Sequence, residues 1–368
     1  MIPVEVYDQT IREFLKPVRR FLDDAAVTEI MINGPGEVFI ERAGKLSKTD
    51  ARFTDEELIS AIRNIAQFQG VPIGGVHQIL EARLPDGSRV EAILPPAGSG
   101  GPHVAIRRFS KEKLTIGKLL EFGALTPDAA ETLRVLVESK QNVVVAGGTG
   151  SGKTSMLNCL SAFIPAGERV VVIEDARELQ LQGAHVVHLE AQKPDHRGNG
   201  AISVRDLFKA TLRMRPDRIV VGEIRSGEAL ELVQAMTSGH GGCMSTVHAT
   251  YPTDTLSRLE TMALMSSVVL PLQALRAQIS SAIDIIVQTS RMPDGSRCVT
   301  HITEVLGLDT QGAYQIADIF HRAEISDTGE IQLLPTGYIP AAAEGIRAMG
   351  LDLPQSIYRA ASARRERP

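Results

Sequence analysis

The segment Gly147-Gly148-Thr149-Gly150-Ser151-Gly152-Lys153-Thr154 constrains this chain more than any other stretch. It matches G-x-x-x-x-G-K-[ST], follows the apolar run NVVVA and precedes the apolar MLNCLSAFI, so a buried strand must turn through a glycine loop into a helix. In such a turn successive backbone N–H groups point inward around a phosphate chain, and the helix adds its positive N-terminal end. Lys153 reaches the β and γ oxygens of a nucleotide, and the Thr154 hydroxyl ligates Mg2+. No G-x-G-x-x-G accompanies the loop, so a dinucleotide-binding reading fails. The expected cofactors are ATP and Mg2+.

Three further β-branched runs, RVVVIED at 169–175, RIVVGE at 218–223 and CMSTVH at 243–248, are separated by helical stretches, the pattern of a buried parallel sheet. This part of the chain reads as α/β. Glu174 and Asp175 end the first of these strands, with Glu178 one turn beyond. Beside a phosphate loop such a carboxylate orients or deprotonates the attacking water; Glu174 is the candidate base and Asp175 the acceptor that holds the fold. Glu223 ends an apolar strand in the layout of a Walker B element, holding the Mg2+ shell directly or through water. Gly222 before it lets the backbone pass close to the nucleotide. His248 ends a strand after a glycine-rich turn and is placed to sense the γ-phosphate or couple one site to the next, with His240 the weaker candidate. His185, His188 and His196 are loosely spaced and lack a thiolate or acid partner, a poor metal set.

The first third reads differently. A helical opening at 7–22 leads to VTEIMIN at 27–33, and the NGPG turn joins it to EVFIER at 37–42 as a hairpin. Thr54 caps the helix DEELISAIRNIAQF, whose first turn is acidic. LEARL at 80–84 and RVEAIL at 89–94 flank a PDGS turn, PPAGSGGP at 95–102 reads as a mobile loop, and HVAIRRF at 103–109 is a further strand. The expectation is an α+β N-terminal domain over 1–109, a linker over 110–126, and an α/β ATPase domain over 127–368 whose basic tail is a solvated end.

Composition removes several alternatives. With 43% hydrophobic residues and a net charge of -5, spread without a basic half, the chain is neither disordered nor a polyanion binder by charge. No apolar run approaches the roughly 18 residues of a membrane span, and the N-terminus begins with acids, so a cytoplasmic location is expected. Three widely spaced cysteines offer neither a disulfide framework nor a zinc ribbon. The absence of Trp, with 4% aromatics, argues against base-stacking platforms.

Hydrolysis at such a loop gains from a guanidinium on the developing charge. Candidates are Arg83, Arg89, Arg107 and Arg108 on first-domain strands and Arg205, Arg213, Arg215 and Arg225 in the second, with at least one expected to act in trans.

GGTGSGKT at 147–154, IEDARELQL at 173–181, LRMRPDRIVVGEIR at 212–225 and TSGHGGCMSTVHA at 237–249 together resemble the Walker A, Asp box, Walker B and His box of the secretion superfamily ATPases. VTEIMINGPGEVFIER and much of 257–305 further resemble the branch that drives Flp/Tad pilus assembly. The resemblance implies a cytoplasmic homo-hexamer, peripheral at the inner membrane, with nucleotide between an N-terminal domain and a RecA-like C-terminal domain. It also implies domain motions that deliver work to a membrane platform protein and the pilus or secretion machinery, and no direct nucleic-acid contact. Arg107 and Arg108 fall where such proteins present arginines to the phosphates. Against the branch, a shorter N-terminal extension than usual is expected here, and the sequence lacks the tetracysteine zinc insert of type II secretion and pilus-extension ATPases. A type IV secretion traffic ATPase uses the same boxes and is the alternative. A RecA-like nucleic-acid translocase and a nucleotide-gated assembly module with negligible turnover are the lesser rivals.

Overall fold

Pro17 breaks the helical opening into two pieces, because proline cannot donate an N–H inside a helix. In the computed structural model, which describes residues 4–109, 114–181, 185–194, 198–268, 270–325 and 330–365, α1 spans Val4–Phe14 and α2 Arg19–Asp23, with a 3-10 turn between them. The chain divides into two compact units, Met1–Lys113 and Leu114–Pro368.

The first unit is a six-stranded antiparallel sheet, built from β1 (Val27–Asn33), β2 (Val38–Arg42), β3 (Lys45–Lys48), β4 (Ile79–Arg83), β5 (Arg89–Ile93) and β6 (His103–Arg107) in the order β3-β2-β1-β6-β5-β4. Its register places Ile30 opposite Ile40 on one side and Ile106 on the other. These residues share one core with α1, α2 and α3 (Asp55–Gln69), as the alternation of a one-sided sheet requires. Thr54 starts α3 through a capping box: its hydroxyl accepts from the Glu57 N–H at 3.2 Å, and the Glu57 carboxylate accepts from the Thr54 N–H at 2.8 Å.

The second unit is a nine-stranded sheet of β7 (Val143–Gly147), β8 (Val170–Glu174), β9 (Val186–Glu190), β10 (Arg218–Ile224), β11 (Met244–His248), β12 (Ile285–Arg291), β13 (Arg297–Leu308), β14 (Tyr314–Glu324) and β15 (Ile331–Pro335). The order is β15-β14-β13-β12-β7-β11-β10-β8-β9, parallel from β12 to β9 and antiparallel beyond β12. Both faces are covered, which is why β7 and β8 read as continuous apolar runs. Val143 and Val145 pack on one side with α4 (Ile116–Glu121), α5 (Pro127–Glu138) and α6 (Lys153–Ser161). Val144 and Ala146 pack on the other, with α7 (Val204–Thr211), α8 (Glu228–Thr237), α9 (Pro252–Leu264) and α10 (Leu272–Ala282). Two short helices, α11 (Ala343–Ala348) and α12 (Gln355–Arg365), add Ile346 and Ile357 to the first of these cores.

Two expectations change. Residues 114–125, read as linker, belong to the second unit: Thr115 caps α4, Leu119, Ala124 and Leu125 are buried, and the Ala124 carbonyl accepts from the Val299 N–H at 3.0 Å. Their apolar side chains have a core to enter, so this stretch is not a spacer; residues 110–113 lie outside the described residues. The strand after the phosphate loop is also not its neighbour. β8 stands three places from β7, with β11 and β10 between, a separation of about 14 Å at ~4.8 Å per strand. No helix among the described residues is long and apolar enough to cross a membrane.

Candidate nucleotide site

β7 ends opposite Thr289 of β12 and His248 of β11, and the loop that follows is as cramped as its glycines suggest. A Cβ on Gly147 would lie 2.3 Å from the Ser151 Oγ and 2.4 Å from the Thr289 Oγ1, so no side chain fits there. Gly150 and Gly152 take φ of +69° and +95°, which only glycine adopts without strain. Gly148 and the exposed Thr149 complete the turn, and α6 starts at Lys153 with Thr154 half-buried in its first turn. The Lys153 ammonium donates to the Gly148 carbonyl at 3.0 Å, closing the loop on itself.

Of the two acids expected at the end of β8, Glu174 makes the turn-holding contacts expected of Asp175. Glu174 is only 3% exposed, and its Oε1 accepts from the N–H groups of Glu178 and Leu179, both at 2.8 Å. Glu174 is thus the acceptor that folds the turn, while Asp175 faces solvent 3.7 Å from Arg225. The next amide along, Gln180 N–H, donates to the Asn158 side chain of α6 at 2.9 Å, so the turn Glu174 holds is tied to the helix of the phosphate loop. Burial raises the Glu174 carboxyl to about 7, with the two amides opposing it. Gly222 is small for the same reason: a Cβ there would meet the Glu174 Cγ at 2.9 Å.

Glu223 remains at the surface end of β10. Its Oε2 accepts from the Arg225 Nε at 2.7 Å, which assigns that arginine to the Walker B acid. Thr246 of β11 donates to the Gly222 carbonyl at 2.6 Å, locking the two strand ends together. His248, exposed at the end of β11, has its basicity lowered by partial desolvation and by the charges of Lys153 and Arg258, against the pull of Glu223. The ring therefore shares one electrostatic environment with the loop lysine and the Walker B acid. His240 lies in the turn before β11, where its carbonyl accepts from the Cys243 thiol at 3.0 Å.

The arginines of the first unit separate. Arg108 donates through one terminal nitrogen to the carbonyls of Phe21 and Asp24, at 2.8 and 3.0 Å, and so clamps the end of α2 inside its own unit. One terminal nitrogen of the guanidinium expected to face phosphates is thus engaged within the first unit. Arg107, one residue earlier, is exposed opposite Glu29. Arg205 is also spent internally, on Glu231 and the Ser267 hydroxyl.

Three site residues had no signal near the motifs. Thr289 and Arg297, on β12 and β13, touch the phosphate loop from more than a hundred residues away. Gln288, 1% exposed, donates to the carbonyls of Ala249 and Thr250 just beyond His248, both at 3.1 Å. Only a β-branched strand followed by a polar QTSR end marked that segment. Of the loosely spaced histidines, His188 lies 4.0 Å from Glu174, His185 contacts Arg169, and His196 lies outside the described residues. Among the described residues no group of three or more His, Cys, Asp or Glu side chains is placed to hold a metal ion.

Residues 12–315 match the family model described as type II/IV secretion system protein. The conjugal transfer protein TrbB of Rhizobium radiobacter is 34% identical over 287 residues, which cover 76% of this chain and 85% of the relative. The type IV secretion system protein PtlH of Bordetella pertussis is 34% identical over 302 residues, covering 75% and 89%. Among solved structures, the Legionella pneumophila ATPase DotB superposes with a TM-score of 0.58 at 21% identity, over 82% of each chain. The pilus retraction motor PilT with bound ADP gives a TM-score of 0.54 at 18% identity, over 96% of this chain and 89% of that one. At these identities the two structures show a shared fold.

Proposed function

Because the chain belongs to the type II/IV secretion system protein family, and is with it an ATP-hydrolysing traffic ATPase, we propose that hydrolysis at the loop 147–154 drives domain motions that power a secretion or pilus machine at the inner membrane. One observation carries the reading: β7, β11 and β10 lie side by side and parallel, so Lys153, His248 and Glu223 follow or end neighbouring strands, and both Lys153 and Glu223 act electrostatically on the His248 ring. Thr154 and Glu223 offer hydroxyl and carboxylate oxygens, the hard donors that Mg2+ takes, and are the residues that would hold it. Bound there, the ion would neutralise charge on the β and γ oxygens. Glu223 holds or orients the attacking water, Glu174 shapes the turn beside it, His248 senses the γ-phosphate, and Arg107 is the first-domain arginine that acts on a neighbouring site.

The finer assignment rests on motif resemblance: a homo-hexamer of the Flp/Tad branch, working through a membrane platform protein. A type IV secretion role is the second reading, favoured by the names of TrbB and PtlH. Deleting the gene in its native cell separates the two, since loss of surface pili supports the first and loss of conjugal or effector transfer with pili intact supports the second. Native mass measurement with a non-hydrolysable ATP analogue tests the ring, which a monomer would contradict. For the enzyme itself, Lys153→Ala is expected to lower steady-state phosphate release by about a hundredfold or more, as loss of a preorganised charge on the phosphates does. Release at the wild-type rate would contradict it.

A further inference from the structure

β12 runs parallel to β7 until Thr289 stands opposite Gly147, then continues for two residues past the point where β7 becomes the phosphate loop. At ~3.3 Å per residue that carries the strand about 7 Å beyond the end of β7. β13 returns from the same height, with Arg297 paired to Arg291 across the hairpin. The turn at 292–296 is stiff: Met292 N–H donates to the Ser296 carbonyl at 2.8 Å, and the Asp294 carboxylate accepts from both the Ser296 N–H and hydroxyl, at 2.9 and 2.6 Å.

This rigid hairpin holds the loop at two points. The Thr289 hydroxyl donates to the Ala146 carbonyl at 3.1 Å, so its contact with Ser151, at 2.9 Å, is one in which the Ser151 hydroxyl donates. Arg297 donates through Nε to the Gly150 carbonyl at 2.8 Å, and its Cδ lies 3.6 Å from where a Cβ on Gly152 would be. In a planar trans peptide, a Gly150 carbonyl drawn outward to Arg297 turns the Ser151 N–H inward. There the Ser151 N–H and the Lys153 ammonium converge on the Gly148 carbonyl, at 3.3 and 3.0 Å. The donors that a phosphate would take over thus face one point, and a carbonyl that would repel it is held away.

We propose that the β12–β13 hairpin is a template for the phosphate loop, with Thr289 and Arg297 as positioning residues that fix the donor geometry before a nucleotide's phosphates arrive. A loop with glycines at four of its eight positions, 147, 148, 150 and 152, has many other shapes to visit, and a templated loop binds more tightly because that freedom is already lost. The inference rests on the nucleotide reading of the loop and adds to it the residues that set its affinity.

The test uses the full chain, with ADP titrated calorimetrically in the presence of Mg2+ and ATP hydrolysis followed by phosphate release. Arg297→Ala is expected to raise the ADP Kd and the ATP KM about tenfold while kcat stays within about threefold, the size of one lost charge-assisted hydrogen bond. Arg297→Lys, which can still donate to the Gly150 carbonyl, is expected to recover most of the affinity, and Thr289→Val to weaken it about fivefold. A merely structural role would cut kcat through lost active protein and leave KM alone. That pattern, or ADP affinity within twofold of wild type in both Arg297→Ala and Thr289→Val, overturns the proposal. Should Arg297→Ala fail to fold, Arg297→Lys and Thr289→Val still decide it, through KM. Failure of the nucleotide reading looks different: wild type itself would not bind ADP, or Lys153→Ala would bind it equally well.

Discussion

The end of β6 in the first unit and the ends of β8 and β10 in the second pose the same problem with opposite charges. Each offers two like-charged candidates, Arg107 and Arg108 in one, Glu174 and Glu223 in the other. In each, one candidate is engaged by nearby backbone groups. Arg108 holds two carbonyls at the end of α2, and Glu174 holds two amides in the turn after β8. The other candidate stays at the surface, Arg107 opposite Glu29 and Glu223 on Arg225. A charged residue at a strand end is therefore sorted by whether nearby backbone groups lack partners, because leaving them unpaired costs more than freeing the charge gains.

Substituting each pair breaks or sharpens this comparison. The largest effect is expected in the arginines. Arg107→Ala should lower kcat about a thousandfold, the low end for a guanidinium on a transferring phosphoryl group, with the unfolding midpoint in denaturant unchanged. Arg108→Ala should do the reverse, costing ~1–3 kcal/mol of stability in the first unit with hydrolysis per folded molecule retained. Equal effects of the two on hydrolysis would erase the distinction. Next in size, Glu174→Ala strands the Glu178 and Leu179 amides and should cost ~1–3 kcal/mol by denaturant titration, whereas Glu174→Gln keeps an acceptor and should cost less than ~1 kcal/mol.

A further effect is in pH. The Glu174 carboxyl sits at about 7 in the folded chain, above its ordinary range, so between about 4.5 and 7 the folded state binds more protons than the unfolded one. Stability from this group is present at low pH and declines as pH rises through that window. Glu174→Gln should flatten the decline. Asp284, raised by burial to about 6, keeps part of the slope in both proteins, so the difference between them is the quantity to measure.

Much of this was legible in the residues. The glycine loop, the Thr54 cap and the β1–β2 and β4–β5 hairpins of the first unit are local devices, written within a few residues of where they act. Lateral order is not local. The apolar runs of β7 and β8 report burial on both faces but not which strand lies alongside, so Glu174 read as the loop's neighbour when two strands intervene. Gly222 read as room for a nucleotide, and its close neighbour is the Glu174 side chain. Thr289 and Arg297 were invisible for the same reason: their partners in the loop lie about 140 residues upstream, and no periodicity encodes that contact.

The division between the two carboxylates is tested most directly by steady-state phosphate release at saturating Mg2+ and ATP, with Glu223→Gln and Glu174→Gln measured beside wild type. Glu223→Gln is expected to lower kcat about a hundredfold, and Glu174→Gln to leave it within about threefold. A Glu174→Gln chain as impaired as Glu223→Gln would show that the buried carboxyl carries the chemistry, and would contradict the roles assigned to both.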